Sequence, residues 1–288
     1  MHNSKKIKIL PVLRDSFFHF NDHNGLKLSA ALSYYTVFSI APFLIIIISI
    51  AGIFFGRDAV QGKVYGQIMG LVGSDAALQV QSIIKNMQGS KHTVIGGIIG
   101  VIVLVIGASG VFSEIQGSIN YLWSINPSKK KGILLFVIRQ LLSFSLLLSM
   151  AFILMVSLAV NAVVDVLSDR LQVYFPNVVV KLFYLINTVA IFLIITFLFT
   201  LIFKILPNAV IRWKHAILGA TITSLLFLGG KFLIGFYLGN SRIGLTYGTA
   251  ASIVLLMIWV YYSSIILYFG ACFTKIYSRY AGAEIRSR

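Results

Sequence analysis

Long blocks of apolar residues constrain this chain more than any other feature of its sequence. Hydrophobic residues make up 58% of its 288 positions and charged residues only 11%. A bilayer core about 30 Å thick requires roughly 20 helical residues to cross it. Blocks of that length, separated by charged or proline-containing segments, lie near residues 30–56, 93–117, 133–164, 181–205, 215–238 and 249–274. These blocks predict an all-α polytopic membrane protein with six transmembrane helices.

The basic residues are distributed unevenly among the segments that connect these blocks. With a cytoplasmic N-terminus, the inside segments hold fifteen Lys and Arg residues and the outside segments hold seven. The asymmetry follows the positive-inside rule and predicts that both termini are cytoplasmic, as an even number of spans requires. It also accounts for most of the net charge of +16 without a nucleic-acid partner.

The segments outside the spans have patterns of their own. Residues 1–28 place apolar positions beside basic ones, which predicts an amphipathic helix on the cytoplasmic face. Residues 57–92 repeat apolar positions at helical spacing with a break at Gly73, which predicts a helical hairpin on the outer side between the first two spans. This hairpin is either a lid or a plain connector. Residues 29–277 form the transmembrane domain, and residues 278–288 a basic cytoplasmic tail.

The first span carries polar residues around Pro42. A proline within a span frees the carbonyl four residues earlier, here that of Phe38, and nearby hydroxyls can satisfy it. An arc of about 120° on this helix holds Ser29, Ser33, Thr36 and Ser39. The stripe is consistent with a kinked helix that lines a pathway and equally with a kink in ordinary helix packing.

Glu114 is the only acidic residue within the six blocks. It shares a face of the second span with a row of glycines that includes Gly96 and Gly100, a spacing that lets a neighbouring helix approach closely. We expect Arg139, which begins a polar stripe that includes Asn161 in the third span, to be its partner. Three interpretations stay open: a structural ion pair, a transport or headgroup site, and an interfacial glutamate that reaches water.

The fifth and sixth spans contain further polar positions. Lys231 either binds an anionic headgroup or substrate from within the bundle or extends toward the outer interface. Trp259 and Ser263 share a face of the sixth span near Tyr262, and a tryptophan in mid-span favours an inward-facing position. The single cysteine, Cys272, cannot form an intrachain disulfide, and we expect a buried, inert thiol.

Catalytic chemistry has little support in the sequence. The five histidines are scattered over the N-terminal segment and the loops, and the chain has no HExxH, Walker or GxSxG motif. Paired Cys/His ligands and carboxylate clusters suited to a divalent metal are also missing from the sequence. We therefore expect a protein that is not an enzyme and that uses no metal and no cofactor.

Four stretches of the sequence resemble one family of bacterial inner-membrane proteins. They are AALSYYTVFSIAPFL at 30–44, GSINYLW at 117–123, LPNAVIRWKHAILGA at 206–220 and YGTAASIVLLMIWVYYSSIILYFGA at 247–271. In order and spacing they are similar to the YihY/BrkB family, whose earlier label of ribonuclease BN is regarded as a misassignment. The resemblance implies a six-helix bundle in the cytoplasmic membrane and a role in envelope lipid transport or another export process. It carries over no catalytic residues.

These patterns together predict a transporter or flippase-like conduit for a lipid or amphipathic anion in envelope biogenesis. Its expected partners are membrane lipids and envelope-assembly proteins, and the patterns are compatible with an oligomer. The alternative is a non-transporting scaffold for envelope assembly, while the scarcity of cytoplasmic acidic residues argues against a ribonuclease. The candidate pathway residues are Ser33, Tyr34, Thr36, Pro42, Glu114, Asn120, Arg139, Asn161, Lys231, Trp259, Tyr262 and Ser263.

Overall fold

Helices make up most of the described part of the chain, which in this computed structural model comprises residues 8–39, 110–125, 177–240 and 251–287. In chain order the helices are α1 (Ile9–Asp22), α2 (25–39), α3 (110–122), α4 (Asn177–Ile205), α5 (Trp213–Asn240) and α6 (Ala251–Tyr280). The predicted all-α class is confirmed. The number of spans and the cytoplasmic location of both termini stay predictions.

Two of the described helices are long and apolar enough to cross a membrane. Their apolar windows are Thr188–Ile205 in α4 and Ile253–Tyr280 in α6, with mean hydropathies of 2.5 and 2.0. Only 22% and 39% of these windows are buried within the protein. Most of their apolar surface therefore faces outward, as expected of helices whose solvent is lipid.

The amphipathic helix predicted within residues 1–28 is present as α1, which packs on α6. Its buried residues Val12, Ser16 and Phe20 are four positions apart and so form one stripe along the helix. Val12 packs against Phe273 and Ile276 near the end of α6. Burial of this stripe attaches α1 to the helical bundle.

A tight turn at His23 and Asn24 joins α1 to α2. Asn24 adopts a left-handed backbone conformation with φ of 53°, which asparagine tolerates better than most residues. The Phe20 ring lies directly against the backbone of Gly25, where a Cβ atom would come within 2.2 Å of the ring. A glycine at position 25 therefore allows α1 to fold back closely on the start of α2.

One end of the bundle, which we call the rim, has a core to which all six helices contribute. The rim is centred on Ile119, Leu122 and Trp123 at the end of α3, which are all at most 3% exposed. Around them lie buried residues from the other helices and from the segment between α4 and α5, among them Phe20, Leu32, Phe203, Ile211, Ala216, Leu267 and Tyr268. Helices α2 and α5 begin here and α3, α4 and α6 end here, so α5 runs antiparallel to both α4 and α6, its neighbours.

A two-stranded sheet ties the C-terminal segment to the rim. Helix α4 ends before the Leu206–Pro207 break, and β1 (Ala209–Val210) follows it. Strand β1 pairs antiparallel with β2 (Arg286–Ser287), with Ala209 opposite Ser287. The segment 278–288, predicted as a separate tail, thus contains the last turn of α6 and a strand that pairs with the α4–α5 connection.

Candidate functional site

The hydroxyl groups predicted to line the first span bond to their own helix. Ser33 Oγ donates to the Ala30 carbonyl at 2.9 Å, and Thr36 Oγ1 donates to the Leu32 carbonyl at 2.8 Å. Ser29 and Ser39 do the same with carbonyls four residues earlier. Such bonds satisfy the hydroxyls within the helix, so these side chains need no ligand or neighbouring helix.

Tyr34 lies away from the buried hydroxyls of α2. Its side chain is 54% exposed, and its ring packs on Phe38 with centroids 4.8 Å apart, whereas Ser33 is 3% exposed. The described part of α2 therefore has a buried serine face and an exposed aromatic face. Two candidate residues that are adjacent in sequence do not form one site here.

A small polar cluster of α3 and α6 contains Glu114, Ser118 and Tyr268. Ser118 Oγ donates a hydrogen bond of 3.0 Å to the Glu114 carboxylate, one helical turn away. The Tyr268 side chain is fully buried and interacts with both Ser118 and Glu114. Its hydroxyl nevertheless has no hydrogen-bond partner of good geometry among the described residues. A partly buried acidic group thus lies in the same cluster as a fully buried phenol without a well-formed hydrogen bond.

Asn120 holds the α4–α5 connection in place. Its Oδ1 accepts a hydrogen bond of 2.9 Å from the Asn208 backbone N–H, and its side chain is buried. Gln116, one turn earlier, donates from Nε2 to the Leu206 carbonyl at 2.6 Å. Both groups satisfy backbone atoms that the break at Pro207 would otherwise leave unpaired. The predicted pathway residue Asn120 is therefore a structural residue of the rim, and Gln116 is a residue that the sequence analysis missed.

Helix α3 ends in a Schellman turn without glycine. The Ile125 N–H bonds to the Asn120 carbonyl at 2.8 Å, and the Ser124 N–H bonds to the Tyr121 carbonyl at 2.9 Å. Ser124 occupies the left-handed position with φ of 56°. Its Oγ also accepts a hydrogen bond from Lys275 Nζ at 3.0 Å, which accounts for a polar side chain at a position where glycine is common.

The carbonyl of Leu122 is bonded from two other helices. His19 Nε2 of α1 lies 2.8 Å from this oxygen, and Lys275 Nζ of α6 lies 2.9 Å from it. Because a carbonyl only accepts, His19 carries its proton on Nε2. Burial, the largest cause, lowers the pKa of His19 from its ordinary value, and the bond to Leu122 opposes this shift only in part. Neither residue was singled out from the sequence, because their role depends on a contact distant along the chain.

Helices α5 and α6 approach each other closely along an antiparallel seam of glycine and threonine. A Cβ atom at Gly219 would lie 1.9 Å from Thr274 Oγ1, and one at Gly270 would lie 1.9 Å from Thr223 Oγ1. The Thr223 hydroxyl bonds to the Gly219 carbonyl and the Thr274 hydroxyl to the Gly270 carbonyl, each four residues earlier. The two reciprocal contacts leave no room for a pathway between these helices near the rim.

The seam continues to Trp259 and Tyr262. The Tyr262 hydroxyl lies against Gly230, where a Cβ atom would be 1.9 Å away. Ser263 Oγ donates to the Trp259 carbonyl at 2.9 Å. Trp259 packs edge-on against Phe227 of α5, and its indole N–H is buried without a hydrogen-bond partner among the described residues. Three such buried polar atoms without a partner occur in the described chain, and the other two are the hydroxyls of Thr196 and Tyr268.

Some candidate residues lie where the structure gives no description. Pro42, Arg139 and Asn161 are outside the described residues, and of Lys231 only its position in the backbone of α5 is described. The pairing of Glu114 with Arg139 is therefore still a prediction. The outer hairpin at 57–92 and the third span at 133–164 also lie outside the described residues.

A half-open cleft of about 490 Å³ lies between α1 and α6. Asp15, Asp22 and His19 line it from α1, and Arg279 and Tyr280 line it from α6. The Tyr280 hydroxyl donates to Asp15 Oδ2 at 2.7 Å, and this bond is the largest cause that holds the pKa of Asp15 below its ordinary value. No local sequence pattern indicates this cleft, because its two walls are more than 200 positions apart in the chain.

The described residues contain no group of three or more His, Cys, Asp or Glu side chains that could hold a metal ion. Cys272 is buried in the rim core, as predicted. The polar groups of the described interior are therefore hydroxyls, amides, the Trp259 indole and the Glu114 carboxylate. These groups can bind water, a polar headgroup or a cation.

Comparison with known proteins identifies relatives over nearly the whole chain. The profile of the family described as Virulence factor BrkB matches residues 16–288. A UPF0761 membrane protein of Teredinibacter turnerae is 25% identical over 294 aligned positions, which cover 100% of this chain and 65% of the relative. A UPF0761 membrane protein of Pseudoalteromonas atlantica is 26% identical over 88% of this chain and 81% of its own length.

One relative shows a shorter and stronger match. A UPF0761 membrane protein of Tolumonas auensis is 43% identical over 75 residues, or 26% of this chain. The chain spans only 61–65% of the length of the first three relatives. No solved structure matches the chain. The profile match covers far more than half of the sequence, so this chain belongs to the BrkB family of membrane proteins.

Proposed function

We propose that the chain is a non-enzymatic transporter or flippase-like conduit for a lipid or amphipathic anion in a bacterial cytoplasmic membrane. Membership of a family of membrane proteins supplies the setting. The observation that carries the proposal is the buried hydroxyl of Tyr268, which lies near Ser118 and Glu114 and has no hydrogen bond of good geometry in the described chain.

Retaining such a pair has a cost in free energy. A buried polar group without a partner costs about 1–3 kcal/mol, which replacement of Tyr268 by phenylalanine would avoid. An acidic side chain between membrane helices adds a further cost, and such residues commonly mark ion or substrate pathways. The proposal explains both groups as parts of a binding site that a transported molecule or ion completes.

The dense packing of the rim supports the interpretation that this end of the conduit is closed in the structure. The side chains around Trp123 are buried and packed, and the α5–α6 seam holds two backbones in close contact. An alternating-access protein closes one end while its site is reached from the other. In this interpretation the rim is the closed end. The hydrogen bonds from His19 and Lys275 to the Leu122 carbonyl must break or shift when it opens.

We further propose that the rim faces the cytoplasm, with both termini on that side. The excess of basic residues in the segments next to the rim supports this orientation. A cysteine introduced at the exposed position Glu284 should react with a membrane-impermeant maleimide in inverted membrane vesicles and should not react in intact spheroplasts. The native Cys272 is buried and should not contribute to the labelling. Labelling of Glu284→Cys in intact spheroplasts would mean that the rim faces away from the cytoplasm and would contradict this orientation.

Vesicles that contain the purified protein test the conduit directly. Fluorescent phospholipid in the inner leaflet should become accessible to a membrane-impermeant quencher faster than in protein-free vesicles, with or without an applied proton or sodium gradient. Movement no faster than in protein-free vesicles under every gradient would contradict the proposal.

A scaffold for envelope assembly is the second candidate, and the solid packing of the rim favours it. For a scaffold the contact surface would be the predicted outer hairpin. Deletion of residues 58–90 should then abolish co-purification of envelope-assembly proteins. A scaffold should also move lipid no faster than protein-free vesicles do, whether or not those residues are present. A conduit should keep its lipid movement when those residues are deleted.

A further inference from the structure

The length of α6 relates the α1–α6 cleft to the headgroup layer of a membrane. The apolar window of α6 contains 28 residues, which at 1.5 Å per residue extend about 42 Å. A bilayer with its headgroup regions is about 40–45 Å thick. The cleft is lined by the last turn of this window, at Ile276, Arg279 and Tyr280. If α6 spans the membrane, the cleft faces the headgroup layer at the rim.

Exposed aromatic and apolar groups border the cleft on the α1 side. Phe18 lines the cleft and is 55% exposed, while Leu10 and Phe17 are exposed on the opposite flank of the same helix. An amphipathic helix with such groups lies in the interfacial plane of a membrane. The mouth of the cleft is therefore next to the acyl-chain boundary, where a lipid can enter sideways.

The charge of the cleft differs from that of its surroundings. Nine Lys and Arg side chains and four Asp and Glu side chains are described in the structure, and two of those four, Asp15 and Asp22, line this cleft. A general attraction for anionic lipid would need only the basic residues. Two carboxylates in the cleft disfavour a purely anionic headgroup and favour one that also carries a positive charge.

Two of the charged groups in the cleft are available to a ligand. Asp15 is already bonded to Tyr280 and lies 3.4 Å from Arg14. Within the described ranges, neither the Arg279 guanidinium nor the Asp22 carboxylate forms a hydrogen bond or an ion pair. Arg279 and Asp22, on opposite walls, interact only at longer range with Asp15 and His19, so both keep their hydrogen-bonding capacity for a ligand.

We propose that this cleft binds the zwitterionic aminophosphate headgroup of a membrane phospholipid. Arg279 binds the phosphate, for which the planar guanidinium is well suited, and Asp22 binds the ammonium group. Phe18 and Tyr280 pack against the glycerol and the first acyl carbons. The volume of about 490 Å³ is within the usual range for small-molecule sites. The site goes beyond the conduit and requires no lipid movement.

Native mass spectrometry of the full-length protein in detergent micelles tests this site. With phosphatidylethanolamine and phosphatidylglycerol supplied in equal amounts, the wild type should retain the zwitterionic lipid about five-fold more than the anionic one, a preference of about 1 kcal/mol. Asp22→Asn should bring the ratio close to one, because only the ammonium group distinguishes the two lipids. Arg279→Gln should lower the retention of both lipids, because both carry the phosphate. Glu284→Gln and Arg286→Gln, which change exposed charges outside the cleft, should leave the ratio unchanged.

Equal retention of both lipids by the wild type, or the same loss in the control variants, would overturn the proposal. Free phosphoethanolamine provides a second arm: displacement of the lipid at equal concentration would assign the site to a soluble ligand and also overturn it. Thermal unfolding of each variant shows whether its fold is retained. Because binding is measured without movement across a membrane, a negative result leaves the conduit proposal untouched.

Discussion

The rim and the interior next to it treat polar groups in opposite ways. In the rim, Trp123 donates to the Ala271 carbonyl at 2.9 Å, Gln116 to Leu206, and Lys275 to Leu122. Thr196 and Trp259, farther along the helices, and Tyr268, at the edge of the rim core, bury polar atoms that have no partner within the described chain. Satisfied polar groups fix an architecture, whereas unsatisfied ones need another explanation. The contrast assigns a structural role to the satisfied groups of the rim and a binding role to Tyr268 and the unsatisfied groups beyond it.

The largest effect on stability is expected from Trp123→Ala in the rim. Removal of a buried indole and its hydrogen bond to Ala271 should lower the free energy of unfolding by about 3–5 kcal/mol. Denaturant titration of the protein in detergent measures this change. Tyr121→Ala, at a 52% exposed position two residues earlier, is the control and should cost about 1 kcal/mol or less. Equal losses of unfolding free energy at both positions would contradict the assignment of the rim as a packed core.

A smaller loss is expected from Gly270→Ala in the α5–α6 seam. The new methyl group would overlap Thr223, and overpacking of this kind costs about 1–3 kcal/mol. Gly229→Ala, with open space around it, should be nearly neutral. The double variant Gly270→Ala, Thr223→Ala should recover part of the loss. No recovery in the unfolding free energy would mean that the helices are not in close contact.

A pH effect smaller than either is expected from His19. Its pKa is lowered in the folded protein, so the unfolded chain binds the proton more readily and stability falls as the pH drops from about 6.5 toward the folded pKa. Stability from this group is complete above pH 6.5. His19→Gln keeps a donor for the Leu122 carbonyl but does not titrate. The difference in melting temperature between wild type and variant should therefore change below pH 6.5, and a difference independent of pH would contradict this role.

The sequence predicts helices well and contacts poorly. Apolar blocks placed α4, α5 and α6 within a few residues of their bounds, and the break at Pro207 was expected from its missing N–H. Helix α3 continues to residue 122, beyond the predicted 117, because Ser118 and Asn120 are polar yet still helical. Hydropathy indicates whether a segment lies in lipid or in water, and it does not indicate where the helical hydrogen bonds of that segment end.

The candidate site could be predicted only in part. Glu114 was identified because an acidic residue in an apolar block is rare, and the structure places Tyr268 beside it. Tyr268 itself was missed, since one tyrosine among thirteen carries no local signal. The pairing of His19 and Lys275 with Leu122 joins residues 103 and 153 positions from it, and no periodicity encodes such distances.

Tyr268→Phe tests the central claim most directly, because it removes only the unpartnered hydroxyl. Tyr277→Phe, in the same helix and packed on Phe273, is the matched control. In vesicles the Tyr268 variant should move lipid at the protein-free rate while its free energy of unfolding stays equal to or above that of the wild type, and the control should move lipid like the wild type. Wild-type lipid movement in the Tyr268 variant would contradict the account.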